Sequence, residues 1–257
     1  MKLRRILGGI AMQTDGSIDL QRSRWFSALP EALQEEVLRS STRLKLRRGK
    51  HILRQGDPAA GIFGLVSGEA QIIGTTLAGL DILVAVFRAG DWTGFLSSVD
   101  EGPYTFSVVA SQSCEVLHLP MPALKRIFLS DVEGFRRFIL PQMASTRAMY
   151  SRVVESLAFT PLQRLAQRLV DLTSEPHGDL VTSSFISPVT QDQIALSIMA
   201  SRQWTNRLLQ HLEQADVIRL SRSRIDILDR DRLTQLAVRG ESGFTLAEGF
   251  PAKVTAD

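Results

Sequence analysis

Short apolar segments alternate with turns at nearly regular intervals between residues 44 and 120. Turn-forming groups such as Gly56-Asp57-Pro58 and Gly90-Asp91 separate them. Short apolar runs bounded by such residues are typical of β-strands, and their regular spacing favours an antiparallel barrel or jelly roll. We therefore predict an antiparallel roll with strands at residues 51–54, 62–66, 70–74, 82–87, 106–110 and 114–119.

Helical periodicity replaces this pattern on both sides of the roll. Before it, residues 25–38 place Leu33, Val37 and Leu38 on one side of a helix. The pair Leu29-Pro30 lies near its beginning, as proline often does. One short helix is therefore predicted ahead of the roll.

A seven-residue apolar repeat runs through residues 141–159. Its members are Met143, Tyr150 and Leu157, with Val153 and Val154 between them. A repeat of this kind indicates a helix that pairs with its twin in a homodimer. The alternative is a helix that lies on its own domain. Pro141 fits the first helical turn, where its missing N–H has no intrahelical role.

Two short helical patterns and a basic hairpin follow one another in residues 190–228. An amphipathic helix at 161–172, a loop at 175–179 and a strand-like segment at 180–186 precede them. This order is typical of a winged helix-turn-helix, whose second helix enters the major groove of DNA.

The second of these helices carries base-reading chemistry on one side. Ser201 is an N-cap type of residue at its start. Arg202 and Gln203 follow at once, and Asn206 and Arg207 lie one turn later on the same side. Arginine can pair bidentately with guanine, and glutamine or asparagine with adenine. The sequence therefore predicts a DNA-reading helix.

Length and charge refine this picture only slightly. The chain has 257 residues, is 44% hydrophobic and carries a formal net charge of +3. Its length fits two modest domains or one large domain. Positive charge is concentrated locally, because five arginines lie between residues 201 and 224, against Glu213 and Asp216. Such a cluster favours attraction to phosphates, although an ordinary solvated arginine face is as good an interpretation.

Several other classes of protein are disfavoured. The first 20 residues are predicted to be a flexible tail and not a secretory signal. No apolar run approaches the roughly 20 residues that a membrane helix needs, so no membrane partner is expected. The single cysteine, Cys114, excludes an internal disulfide and a four-cysteine iron–sulfur cluster, and it indicates a cytoplasmic protein.

Catalytic and metal-binding motifs are also missing from the sequence. It contains no Gly-rich phosphate loop ending in Lys-Ser/Thr, no HExxH and no GxSxG. We therefore expect no enzyme, no cofactor and no metal. The four histidines lack ligand-type spacing, and their positions are His51, His118, His177 and His211.

The order of several short motifs resembles that of the Crp/Fnr family of bacterial transcription regulators. Gly49-x-x-Ile52, Gln55-Gly56-Asp57 and Val66-Ser67-Gly68 are similar to the first turns of the family's roll. The segment FRAGDW at 87–92 is similar to the strand and turn that enter its phosphate-binding cassette, and residues 201–207 are similar to its recognition helix. The resemblance covers residues 25–236.

The resemblance implies an α+β protein that binds a pseudo-palindromic operator in double-stranded DNA as a cytoplasmic homodimer. It leaves RNA polymerase open as a further partner. Its implied parts are a tail (1–20), a cyclic-nucleotide-binding-like antiparallel β-roll or jelly-roll sensor domain (21–139), a long dimerisation helix (140–159), a winged helix-turn-helix (160–236) and a C-terminal tail (237–257).

The resemblance also assigns roles to residues. The implied base contacts are Arg202, Gln203 and Arg207. Thr190 holds the position where the first helix of the motif meets a phosphate. The hairpin arginines, Arg222 and Arg224, either contact phosphate or the minor groove, or remain solvated. Met199 and Asp216 depart from the family pattern, because glycine is common at both positions. Trp204 is a further departure, which either stacks on the DNA backbone or covers its own helix.

The cassette departs most from the family pattern. Cyclic-nucleotide-binding members use a glutamate for the ribose and an Arg-Ser pair for the cyclic phosphate. Phe95 stands at the glutamate position, and Thr105-Phe106 replaces the Arg-Ser pair. Binding of cAMP in the family's manner is therefore not expected. Trp92, Phe95 and Phe106 either line an apolar pocket or fill the roll. The alternative function is a regulator that binds a cyclic nucleotide or another small ligand in a rearranged pocket.

Overall fold

The computed structural model describes residues 23–129, 132–174 and 183–240. The predicted tail at 1–20, the predicted loop at 175–179 and most of the predicted C-terminal tail lie outside these ranges. Within the described ranges, no helix combines the length and apolarity that crossing a membrane requires.

Eight strands form the roll, and their pairing is antiparallel throughout. They are β1 (Thr42–Leu46), β2 (His51–Leu53), β3 (Gly61–Ser67), β4 (Glu69–Thr75), β5 (Asp81–Arg88), β6 (Trp92–Thr93), β7 (Ser107–Ala110) and β8 (Cys114–Pro120). Two four-stranded sheets result, with the orders β1-β8-β3-β6 and β2-β7-β4-β5. The predicted antiparallel roll of an α+β protein is confirmed.

The six predicted strands are present with their ends shifted by one residue at most, but β1 and β6 were not predicted. Strand β1 lies at the edge of its sheet, and nearly all of its residues are exposed. Its charged and apolar residues alternate over only four positions, Arg43 to Leu46, which is a weak signal for a strand. Strand β6 has only two residues, which is too short for any periodicity to be visible.

The single helix predicted at 25–38 is wrong. The segment forms two helices, α1 (Arg24–Ser27) and α2 (Glu31–Ser40). They break at Leu29-Pro30, because a residue that precedes proline is disfavoured in helical conformation. Pro30 is the N-cap residue of α2, and the buried side of that helix consists of Val37 and Leu38.

Three more helices follow within the roll and after it: α3 (Phe95–Asp100), α4 (Met121–Phe128) and α5 (Val132–Ala158). The predicted start of the long helix near Pro141 is wrong, because α5 begins at Val132 and Pro141 lies inside it. An internal proline leaves the carbonyl four residues earlier without its helical donor. Here that carbonyl belongs to Arg137, and the Trp25 indole donates to it at 3.2 Å.

The C-terminal third forms a winged helix-turn-helix, which we call the head (residues 160–174 and 183–240). Its elements are α6 (Pro161–Leu172), β9 (Phe185–Ile186), α7 (Gln191–Ser197), α8 (Arg202–Gln214), β10 (Ile218–Ser221), β11 (Arg224–Ile227) and α9 (Arg230–Arg239). The strands form one sheet with the order β10-β11-β9. Of the strand predicted at 180–186, residues 180–182 lie outside the described part of the chain, and only the last two residues are extended.

Three apolar clusters hold the molecule together. One fills the roll, and a second joins the roll to α1, α2, α4 and α5. The third is the core of the head, and it also contains Leu83 and Val86 of β5. The head is therefore packed against the roll through β5.

Candidate nucleic-acid interface

Helix α8 separates a buried side from an exposed side, as its sequence predicts. Ser201 caps its start, because the Ser201 hydroxyl accepts a hydrogen bond from the Trp204 backbone N–H at 3.2 Å. The inward side chains are fully buried, and they are Thr205, Leu208, Leu209 and Leu212. On the opposite side Arg202, Gln203 and Arg207 are exposed. Three side chains with base-pairing donors thus project from one face of a fixed helix.

Asn206 does not join this exposed set. It is half-buried, and its Oδ1 accepts a hydrogen bond from Nε2 of Gln191 on α7 at 3.2 Å. Bidentate recognition of adenine uses both the oxygen and the nitrogen of an asparagine. In this arrangement Asn206 ties α8 to α7, and it would have to release Gln191 before it could read adenine in that way.

The two turns that flank α8 adopt the conformation for which glycine is usual. Met199 has φ 53° and Asp216 has φ 55°, so both lie in the left-handed region. A non-glycine residue held there costs of order 1–3 kcal/mol, and aspartate tolerates the conformation better than methionine does. Trp204 is half-buried and packs against the core of the head, which favours the covering role over stacking on DNA.

Thr190 is the N-cap residue of helix α7; it is exposed and forms a capping box with Gln193. The Thr190 hydroxyl accepts from the Gln193 N–H at 3.2 Å, and the Thr190 N–H donates to Gln193 Oε1 at 2.9 Å. Asp192 follows in the first turn and lies 3.5 Å from the Arg202 guanidinium. Both groups of that ion pair are about two-thirds exposed, so solvent screens it and a contact of Arg202 with DNA can replace it.

The two hairpin arginines have different environments. Arg224 lies 3.8 Å above the Phe185 ring and donates two hydrogen bonds to Asp226 Oδ1, at 2.8 and 2.5 Å. These hydrogen bonds hold the pKa of Asp226 below, and the pKa of Arg224 above, their ordinary values. Arg222 stands in the two-residue turn beside Ser223 and is exposed. Arg222 is therefore the better placed of the two for a phosphate.

A cleft of about 380 Å³ lies between the hairpin, the start of α8 and the start of α7. It brings together four of the predicted DNA-binding residues, which are Thr190, Arg202, Arg222 and Arg224. The remaining four, Ser201, Gln203, Asn206 and Arg207, belong to α8 or its cap and do not line the cleft. Cationic side chains thus surround a concave surface beside the exposed face of α8.

Two residues that fix this geometry were not predicted. Glu213 Oε1 accepts from the Leu220 N–H at 2.7 Å, which joins α8 to the hairpin. Arg164 of α6 donates to the carbonyls of Ile198 and Phe159, at 3.0 and 2.9 Å. Leu220 lies seven residues from Glu213 across a turn, and Ile198 lies 34 residues from Arg164, so helical or strand spacing could not have indicated these contacts.

Comparison with known proteins assigns the two halves of the chain. The profile of the cyclic nucleotide-binding domain matches residues 43–131, and that of the Crp-like helix-turn-helix domain matches residues 163–236. The chain belongs to the Crp/Fnr family. The resemblance inferred from the short motifs is confirmed, as is the DNA-binding helix-turn-helix of a transcription regulator.

Curated relatives of this Crp/Fnr protein are named as transcriptional regulators. The CRP-like cAMP-activated global transcriptional regulator of Mycobacterium tuberculosis (strain H37Rv) is 26% identical over 196 residues, which is 74% of this chain and 85% of the relative. The cAMP-activated global transcriptional regulator CRP of Escherichia coli O157:H7 is 24% identical over 169 residues, or 65% of this chain and 80% of the relative.

Solved structures share the fold of this Crp/Fnr protein. FixK2 from Bradyrhizobium japonicum superposes with a TM-score of 0.63 at 18% identity, covering 76% of this chain and 96% of FixK2. The c-di-GMP responsive global regulator CLP of Xanthomonas campestris gives a TM-score of 0.60 at 19% identity, covering 77% of this chain and 99% of CLP.

The cassette of this Crp/Fnr protein contributes to an aromatic cluster, made of Trp25, Phe26, Trp92, Phe95, Phe128 and Phe138. The Trp25 ring centroid lies 5.0 Å from those of Trp92 and Phe95, and the Phe138 centroid lies 5.1 Å from that of Phe95. Trp92 lies over Gly64, where a Cβ would stand 2.5 Å from the indole ring. Phe95 is therefore a core residue that anchors α3 to α1 and α5.

The structure does not bring the four predicted pocket residues together. Trp92 and Phe95 belong to the aromatic cluster, whereas Thr105 and Phe106 are exposed in the bend that precedes β7. Phe106 lies against Gly74 on β4. Trp92 and Phe95 are therefore packed between the roll and the helices, and the structure supports neither a shared apolar pocket nor a roll filled by all three aromatic residues.

The described residues do not support a metal-based sensor or a redox sensor. Within 23–129, 132–174 and 183–240, no group of three His, Cys, Asp or Glu side chains is placed to hold a metal ion. Cys114 is buried, and burial raises the pKa of its thiol. The thiolate is the reactive form of cysteine, so this environment disfavours a redox role.

Proposed function

We propose that this Crp/Fnr protein is a homodimeric regulator that reads a two-fold symmetric operator through α8 and has no catalytic activity. The observation that carries the proposal is the exposed set of Arg202, Gln203 and Arg207 on a helix whose other side is buried. Double-stranded DNA and a second copy of the chain are its proposed partners. Because its proposed target is DNA, we propose that it acts in the cytoplasm. RNA polymerase is a further candidate partner there.

The proposed contacts divide into two kinds. Arg202, Gln203 and Arg207 read base edges, since guanidinium and amide groups match the donor and acceptor pattern of the major groove. Thr190 and Arg222 contact phosphates, which fix the position of the head without reading sequence. Ser201 caps the start of α8, and its hydrogen bond with the Trp204 N–H orients the first turn of that helix.

The homodimer is proposed on the exposed apolar side chains of α5. Met143, Tyr150 and Val153 are 43%, 64% and 52% exposed. A helix of 27 residues is about 40 Å long, so it can pair with its twin over several turns. The side chains of Val154 and Leu157, the other two proposed interface residues, lie outside the part that the structure describes. A two-fold dimer places two α8 helices on half-sites of a symmetric operator.

Two threonines have the same capping role, so a comparison of their alanine variants distinguishes an effect on DNA contact from an effect on helix stability. Thr160 and Thr190 each form a capping box, at the starts of α6 and α7. Replacing either by alanine should lower the free energy of unfolding by about 1 kcal/mol, since one N-cap bond is lost. Only Thr190→Ala should also weaken DNA binding, by about tenfold, because it removes a hydrogen bond to a charged phosphate.

The measurement is urea unfolding of both variants together with fluorescence anisotropy on a labelled duplex selected by the parent protein. Thr160→Ala serves as the control for a general loss of stability. Equal DNA affinity of the two variants would show that Thr190 makes no phosphate contact.

We propose further that the cassette does not bind cAMP in the family's manner, although the curated relatives are named as cAMP-activated. Phe95 occupies the position of the ribose-binding glutamate and is packed in the aromatic cluster. Thr105-Phe106 offers no cation to a cyclic phosphate, and a buried phosphate without a charged donor loses its strongest hydrogen bonds.

Addition of cAMP or cGMP should leave the unfolding temperature of this protein unchanged. A ligand present at 100 times its Kd adds about 2.7 kcal/mol to the free energy of unfolding, which thermal unfolding detects easily. The cAMP-activated regulator of Escherichia coli provides the positive control. A saturable rise in the unfolding temperature of this protein would overturn the proposal and favour a rearranged nucleotide pocket.

A further inference from the structure

Strand β5 contains a β-bulge on the side that faces the head. Ile72 of β4 pairs with Ala85 and Ile73 pairs with Leu83, so Val84 is the extra residue. A bulge leaves its extra residue unpaired and shifts the alternation of side chains by one position. Leu83 and Val86, three residues apart, therefore both project into the core of the head, whereas Phe87 belongs to the core of the roll.

The backbone exposed by the bulge is bound by the head. The Arg168 guanidinium on α6 donates to the carbonyl of Val84 at 2.9 Å and to the carbonyl of Leu83. Strand β5 lies at the edge of its sheet, so these carbonyls face outwards with no neighbouring strand. The planar Arg168 guanidinium therefore binds the carbonyls of two successive residues, which both face the head because of the bulge.

Two further polar contacts join the head to the same sheet. Arg88, at the end of β5, donates to the carbonyl of Leu172 at 2.9 Å, at the end of α6. Arg88 also lies 3.6 Å from the Glu69 carboxylate, and both side chains are mostly buried. Gln71 of β4 donates to the carbonyl of Pro188 at 2.6 Å, just before α7. The head is thus held at the end of α6, in the middle of α6 and before α7.

These contacts leave the DNA-reading face free. Arg202, Gln203, Arg207 and Arg222 remain exposed while Leu83 and Val86 are buried. The contact therefore leaves these four side chains accessible. It fixes the orientation of α7 and α8 relative to the roll and to α5.

We propose that this docking contact, formed by Leu83, Val84, Val86, Arg88, Gln71 and Arg168, sets the half-site spacing that the dimer accepts. The inference rests on the proposed dimeric DNA-binding function. One base pair of extra spacing moves a half-site by about 3.4 Å and turns it by about 35° around the duplex. A head fixed on the roll cannot follow that displacement, whereas a head connected only through residues 159–160 can. Arg168 acts as a positioning residue, since it lies on α6 and donates to the backbone of β5.

The test measures the affinity of the parent and of its variants for duplexes that carry two copies of the half-site selected by the parent. The two copies stand at the selected spacing, or one to three base pairs closer together or further apart. The parent should bind the altered duplexes about tenfold more weakly, the loss expected when one base-pair contact fails. Arg168→Met keeps the aliphatic stem and removes both bonds to β5, so it should bind all spacings within about threefold while preferring the same half-site sequence.

Arg232→Met is the matched control, because Arg232 also donates to a backbone carbonyl, that of Ala215 at 3.0 Å, but within the head. It should keep the parent's dependence on spacing. Gln71→Leu removes the hydrogen bond to Pro188 from the side of the roll, and it should relax the dependence of affinity on spacing as Arg168→Met does. If one of these two variants folds poorly, the other still provides the test. Parent-like dependence in both docking variants would overturn the inference alone. A parent that binds all spacings equally would also overturn the inference, but it would be compatible with a dimer whose heads are mobile. Selection of an operator without two-fold symmetry would overturn the proposed dimeric function.

Discussion

Replacement of Phe138 by alanine is expected to lower the free energy of unfolding by about 3–5 kcal/mol, the range for removing a fully buried phenylalanine. Phe138 is fully buried, and its ring lies 5.1 Å from that of Phe95 and 5.3 Å from that of Phe128. It is the residue through which α5 enters the aromatic cluster. Its loss leaves a cavity between α5 and the roll that the rigid rings around it cannot fill.

The measurement is urea unfolding, and Phe135→Ala in the same helix is the control. Phe135 is 38% exposed, so the same change removes less buried area and leaves no closed cavity, and it should cost about half as much. Equal losses from the two variants would show that the aromatic cluster does not anchor α5 as described.

Replacement of Arg207 by alanine is expected to weaken binding to a selected operator by about 1–3 kcal/mol, or roughly 5- to 150-fold, with no loss of folding stability. Arg207 is exposed on α8, one turn beyond Arg202 and Gln203. A guanidinium in that position can donate two parallel hydrogen bonds to one guanine. The change should therefore relax the preference at one base pair in each half-site.

Arg207→Lys separates charge from base reading. Lysine keeps the attraction to phosphates but loses the planar fork. This variant should retain the parent's affinity for unrelated DNA and the same dependence on salt, while its preference at the affected base pair falls. Retention of the full preference by Arg207→Lys would indicate a phosphate contact and not a base contact.

The sequence predicted most of the fold because its strongest signals are local. Six strands of the roll and the inward leucines of α8 follow from apolar periodicity and turn residues. The edge strand β1 was missed because its alternation of Arg43, Leu44, Lys45 and Leu46 lasts only four residues. The start of α5 was misplaced because Pro141 is tolerated inside the helix through Trp25, which is distant in sequence.

The candidate site was only partly predictable for the same reason. Arg202, Gln203 and Arg207 are exposed as their spacing suggests, but Asn206 turns towards Gln191 on the neighbouring helix. The pairing of Arg224 with Asp226 distinguishes the two hairpin arginines, and helical or strand spacing does not reveal it. Tertiary hydrogen bonds decide which polar side chains remain available for DNA.

The most direct test of the central claim, that α8 of a two-fold dimer reads DNA, is selection from a random pool of duplexes about 40 base pairs long, long enough for two half-sites one helical turn apart. Parent and Arg207→Ala should be compared side by side. The parent should enrich an inverted repeat, and the variant should enrich the same repeat with one base pair per half-site no longer specified. An enriched motif without two-fold symmetry, or identical motifs from the two proteins, would contradict the account.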